Sequence, residues 1–416
     1  MGWRDWLGLK VTPEKFAELM IGRARSLGLG EFEYDADMKE LRQSGTNTKW
    51  QLYLGRVYEE YVRAPSGDRA KVIDNFLSAL SNGNEDVFPS SYELARPNLL
   101  PILRDSVDVA VAELAVRRAS AIDGSEFKSS AMSGGLLVGT LMQGLAFDTP
   151  HAINRIAESQ LEIWGVSFEA AMSDAIDNLR LLNHPNGWTQ LDAHTWSGHW
   201  GDAYASSRMV TPEVIHQLGV PEPIVMVPTP DTLLVASGRS ENALASLAYW
   251  CEQSGGPEKR ALSSVAYRLN DRNWIAIPKA EQNTPQLRNF QLRGISAAHE
   301  EQKQLLDDIH SRTDQDIWVA SYQLMKKEDS DLITAYTVWT ESVDSLLPLA
   351  DHLVVQSMSD DGNEVAKRVI VPMESALPIL LPHLEVRKDL APIRYRTTGF
   401  PTPSDWVQLE QMAIQL

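Results

Sequence analysis

The chain has 416 residues, 43% of them hydrophobic and 23% charged, with a single cysteine, Cys251. That composition fits a globular protein of two or three domains, and it excludes an intrachain disulfide or a zinc site built on clustered cysteines. Asp and Glu outnumber Lys and Arg by 56 to 38, a formal charge of −18, which repels nucleic-acid phosphates and anionic lipid headgroups.

The opening "MGWRDWLGLK" lacks the apolar run of a signal peptide, and Trp6 stands where a myristoylation motif needs Ser or Thr. With the lone cysteine, this places the expected protein in the cytoplasm. A helix is predicted from Thr12 and Pro13, a capping hydroxyl followed by a proline whose missing N–H costs nothing in the first turn. Phe16, Met20 and Ala24 share one face of it, and Gly28 and Gly30 end it. "FEYDADMKELRQSGTNTKWQLYLGRVYEEYV" predicts a strand pair turning near Asp35-Ala36-Asp37, then a helix from about Leu54 to Val62. "AMSGGLLVGTLMQGLAF" (Ala131–Phe147) is too short and too diluted by polar residues and glycines for a membrane span, and reads as one strand covered on both faces.

Ser167 caps a predicted helix over "SFEAAMSDAIDNLRLL". Two extended segments follow, then a helix at "TPEVIHQLG". Next come two strands around the Pro228-Thr229-Pro230-Asp231 turn, a helix over Glu241–Gln253, and a hairpin turning at Asn270-Asp271-Arg272-Asn273. "PKAEQNTPQLRNFQLRG" (Pro278–Gly294) is polar, holds prolines and lacks a clear period, which predicts a linker. Beyond it lie a helix from about Ile295 to Arg312 and a hairpin turning through Lys326–Ser330. Two strands, a short helix interrupted by Pro378, another strand and a closing helix complete the chain. The fold expected is α+β, with mixed and antiparallel sheets and helices packed on them. Its parts are 1–125, 126–280, a linker at 281–294, and a C-terminal domain at 295–416 with 11 Lys and Arg against 20 Asp and Glu from Gln291 onward.

Several stretches follow one another in a characteristic order: "FAELMIGRA" and "FEYDADMKEL", then "LEIWGVSFEAAMSDAIDNLRLL", "GDAYASSRMV" and "VMVPTPDTLLVA". Through them the Pro13–Pro278 part resembles the YtpQ family, a bacterial family of unknown function. The resemblance implies a fold and no activity. The Trp- and His-rich "DAHTWSGHW" and everything after Gly294 lie outside it.

The densest polar and aromatic stretch runs from His184 to Arg208. His184, Asp192, His194 and His199 are residue types that ligate metals, although His194 and His199 are five apart rather than at the i, i+4 spacing of a helical metal motif. The other reading is an exposed loop whose Trp188, Trp196 and Trp200 pack on the sheet or on a partner. Asp202, Tyr204, Ser206, Ser207 and Arg208 are a candidate ligand-binding set, with Arg208 as a fork-shaped anion donor. Alternatively, Arg208 pairs with Asp202 and the serines shape a turn. Around Ser237-Gly238-Arg239-Ser240, Gly238 can supply a positive φ and Ser240 can cap the next helix, while Arg239 joins the ligand-binding candidates. No catalytic set and no cofactor motif is present. Two functions follow. One is a non-catalytic binding or regulatory protein, of inhibitor or immunity type, that acts through protein contacts with a basic partner or as a homo-oligomer. The other is a hydrolase-type enzyme, or a metal- or small-ligand-binding protein, that uses the His184–Arg208 region.

Overall fold

The computed structural model describes residues 11–36, 40–43, 51–81, 88–124, 132–149, 153–254, 262–278, 281–282, 284–326, 332–359 and 364–415. The fold is α+β. It divides into two compact units: Met1–Asn98 with Phe147–Asn154, and Leu99–Ala146 with Arg155–Leu416.

In the first unit, helix α1 (Pro13–Ser26) starts where the Thr12 side chain accepts the Lys15 N–H at 3.3 Å. Strands β1 (Phe32–Asp35), β2 (Glu40–Gln43) and β3 (Gln51–Tyr53) form an antiparallel meander. The expected turn at Asp35-Ala36-Asp37 lies partly outside the described residues. Helices α2 (Gly55–Arg63) and α3 (Arg69–Ser81) follow, and a one-turn α4 (Tyr92–Ala95) runs into a 3-10 turn at Arg96–Asn98 that ends the unit's main segment. Phe16, Met20, Leu41 and Leu77 are fully buried at the centre of its core.

The second unit opens with β4 (Leu99–Asp105) and α5 (Ser106–Asp123), whose first turn is capped by Asp105 accepting the Val107 N–H at 2.9 Å. The stretch expected as a single strand is a hairpin, β5 (Gly134–Val138) and β6 (Leu141–Asp148). Gly139, at φ +57°, turns the chain where a side chain would be strained. The end of β6 and the first two residues of β7 (Ile153–Arg155) belong to the first unit, and α6 (Glu158–Trp164) and α7 (Phe168–Leu181) follow in the second.

A six-stranded antiparallel sheet is the centre of this unit. Its strands are β8 (Trp188–Gln190), β9 (Thr195–Gly198), β10 (Pro223–Met226), β11 (Leu233–Ser237), β12 (Tyr267–Asn270) and β13 (Asn273–Ala276), in the order β13-β12-β10-β11-β9-β8. Alternation along β10 and β11 sends Val225, Leu233 and Val235 into one core, and Ile224, Met226, Leu234 and Ala236 into another. The first core also holds Met209 and Ile215, the latter on the one-turn α8 (Glu213–His216). The second packs on α9 (Ala243–Gln253) through Leu247, Ala248 and Cys251.

The expected linker is not a linker. Residues 285–294 form the first part of α10 (Pro285–Arg312), a 28-residue helix that buries Leu287 and Phe290 against the sheet through that second core. Two four-stranded sheets follow, one ordered β14-β17-β21-β20 and the other β15-β16-β18-β19. Their strands are β14 (Trp318–Val319), β15 (Gln323–Lys326), β16 (Ile333–Thr340), β17 (Ser345–Pro348), β18 (His352–Met358), β19 (Val365–Pro372), β20 (Leu384–Arg387) and β21 (Arg394–Thr397). Helices α11 (Met373–Leu380) and α12 (Pro403–Gln411) cover a core of Ala335, Trp339, Leu353, Val355 and Val371. Pro378 lies inside α11 rather than ending it.

Candidate functional site

The His184–Arg208 stretch leaves α7, forms the β8–β9 hairpin and returns as a 3-10 turn at Ser206–Val210. Two glycines make room for its central ring. A Cβ on Gly187 would come within 2.0 Å of Trp200 Nε1, and one on Gly198 within 2.6 Å of the same ring. Trp188 meets Trp200 edge-on, with ring centres 5.1 Å apart. The Arg208 guanidinium lies over the Trp200 ring, 3.9 Å from its centre.

Arg208 is fully buried, and its donors are committed inside the fold. It donates to Asp202 through both terminal nitrogens, at 3.2 and 2.7 Å, to Asn183 Oδ1 at 2.8 Å and to the Tyr204 carbonyl at 3.0 Å. The guanidinium therefore ties the end of α7 to the turn before the 3-10 segment, and its fork is spent on Asp202 rather than left for an anion. Ser206 donates to the Pro230 carbonyl at 2.8 Å, and Ser207 and Tyr204 are buried. The Asp-to-Arg motif thus holds the chain's return to the sheet.

Asp192 turns toward α9. Its carboxylate accepts Ser246 Oγ at 2.5 Å, Trp250 Nε1 at 2.9 Å and the His194 backbone N–H at 2.8 Å. Burial pushes its pKa up, but the hydrogen bonds from Ser246, Trp250 and His194 outweigh that and hold it at about 2. Thr195, fully buried, completes the network at 2.7 Å from Ser246 Oγ. His184, His194 and His199 are exposed. Among the described residues, no three His, Cys, Asp or Glu side chains gather as a metal site would need.

The loop after β11 is corrected in two details. Gly238 has no positive φ; it is needed because a Cβ there would meet the Glu222 carbonyl oxygen at 2.4 Å. Ser240 does not cap α9, which begins at Ala243; its hydroxyl accepts the Asn242 N–H at 3.3 Å. Arg239 is an exposed partner of Glu222 at 3.1 Å. Cys251 is fully buried beside Met226, and burial raises its pKa.

A second feature has no motif in the sequence. Ala320 donates its N–H to Leu346 of β17, and three residues later Gln323 pairs with Tyr336 of β16. The chain crosses from one sheet to the other in between. At that fork lies a groove of about 380 Å³ lined by Trp318, Ala320, Ser321, Gln323, Val338, Thr340, Val343 and Ser345. Trp318 stands at its mouth, 58% exposed. Only the periodicity of β16 hints at it: Ala335, Thr337 and Trp339 are buried, which turns Val338 and Thr340 to the other face.

Compared with models of known families, with curated proteins and with solved structures, the chain has no match in any of the three. No helix among the described residues is long and apolar enough to cross a membrane.

Proposed function

We propose that this is a non-catalytic binding protein of the cytoplasm that acts through contacts with another protein. The observation that carries the reading is the groove at the sheet fork, with a large aromatic side chain held at its mouth rather than in a core. Its volume is within the range of small binding pockets, ~300–1,000 Å³. Exposed aromatic side chains are the residues most often found as binding anchors. The YtpQ-like reading of residues 13–278 belongs to the same proposal. The Asp202–Arg208 motif that carries it makes internal bonds, as expected of a scaffold. The excess acidic charge favours a basic partner.

The test is site-specific photo-crosslinking in cells. A photoreactive side chain at Ser321 should give covalent adducts with another protein, while the same group at exposed Glu374 should not. Equal adduct yields from both positions, or none from either, would remove the groove as the binding surface.

A further inference from the structure

We infer that the groove receives an extended, basic segment of the partner protein, laid alongside β16. This rests on the reading of the groove as the binding surface and adds the chemistry of its occupant.

The geometry supplies the extended form. Strand β15 pairs with β16 only from Ile333 to Tyr336. Strand β16 continues to Thr340, and on its other flank it stays paired with β18 throughout Tyr336–Thr340. Residues Thr337–Thr340 therefore have no strand on the β15 side among the described residues. A bare stretch of strand edge is a template for another strand, and adding one is a common way to bind peptides. Val338 and Thr340, whose side chains line the groove, would meet alternate residues of the incoming segment.

Charge supplies its sign. Two cations near the groove are already paired. Lys303 holds Asp307 at 2.6 Å and the Val319 carbonyl at 2.8 Å, with its ammonium 4.9 Å from the Trp318 ring centre. Arg396 holds Asp344 at 2.8 Å. Asp314 and Asp316, in the stretch leading into Trp318, are exposed and have no cation partner among the described residues. A Lys or Arg of the incoming segment would find these carboxylates four and two residues before Trp318, whose ring already carries Lys303. A second copy of this chain would instead bring its own net charge of −18 to the surface.

The test uses the full chain and dye-labelled peptides of about eight residues, long enough to span the bare edge at ~3.3 Å per residue. Valine alternates with lysine in one peptide and with glutamine in the other. Fluorescence anisotropy should show the lysine peptide binding about tenfold more tightly than the glutamine peptide at low salt, with the preference fading as salt rises. Asp314→Asn with Asp316→Asn should remove most of the preference, and Thr340→Trp, which fills the groove, should abolish binding of both peptides. Circular dichroism would confirm that these variants remain folded.

Equal binding of the two peptides, lost on Thr340→Trp, would overturn the basic occupant and leave the groove as a docking site. Binding of the lysine peptide that survives Thr340→Trp, or no binding by either peptide, would overturn both readings. A dimer in sedimentation equilibrium that Thr340→Trp dissociates would replace the basic segment with a second copy.

Discussion

Arg208 and Asp192 are the residues where sequence and structure meet most directly. Both stand out in the sequence as polar groups in an aromatic stretch, and the structure turns both inward. Pairing of Arg208 with Asp202 is readable from their spacing, because a short loop returns the side chain to its own neighbourhood. The partners of Asp192 are not readable, because Ser246 and Trp250 lie 54 and 58 residues away. Their own spacing of four, one face of a helix, was visible without any indication of what that face meets. The Asp192 carboxylate is held at a pKa of about 2, below its ordinary value of 3.8. Its contribution to stability is therefore complete above pH ~4 and lost as the pH falls through about 2, because the unfolded chain takes up the proton first. Asp192→Asn should lower the urea midpoint at pH ~6, and the gap from the wild type should narrow as the pH approaches ~2.5. A gap that stays constant over that range would show that the carboxylate's charge contributes nothing to the network.

At the scale of elements, regular pieces were legible and their junctions were not. Strands β16, β18 and β19 follow from runs of alternating and β-branched residues, and α1 and α7 from caps and periodic apolar faces. The hairpin within 131–147 was hidden because a turn of Gly139 and Thr140 leaves hardly any polar gap between two apolar strands. The first ten residues of α10 were hidden because only Leu287, Phe290 and Leu292 are buried there, so the rest of the sequence is polar. The later part of α10 is fixed to α5 by a buried cation. Arg118, fully buried, donates to Asp308 at 2.5 Å, and Arg312 reaches the same carboxylate at 2.9 Å. Removing one member of such a pair strands the other charge, at a cost of ~3–5 kcal/mol, whereas replacing both with apolar groups costs far less. Chemical denaturation should therefore rank Asp308→Ala as the least stable variant, with Arg118→Met/Asp308→Leu recovering most of the loss. If the double variant is no more stable than Asp308→Ala, the helix contact is not governed by the stranded charge.

At the scale of the whole molecule, length and composition point to two or three domains without indicating where the chain divides. The expected boundary near 295 follows the polar, proline-bearing stretch before it, and the other is set near 125. The compact units instead divide at Asn98, with Phe147–Asn154 assigned to the first unit, and the C-terminal sheets belong to the same unit as the six-stranded one. Polarity could not show this, because α10 lends its apolar face to both the α9 core and the C-terminal core through Leu287 and Leu292. Each unit has its own buried cluster, so each can open as its own cooperative step. Leu77→Ala removes a fully buried side chain from the first unit, and Val355→Ala one from the second. Large-to-small changes at such positions typically cost ~1–5 kcal/mol. Hydrogen exchange should show Leu77→Ala accelerating amides of α1, α2 and α3 while those of β16 and β18 keep their wild-type protection. Val355→Ala should do the reverse. Acceleration of both sets to the same extent by either substitution would mean that the chain opens as one unit.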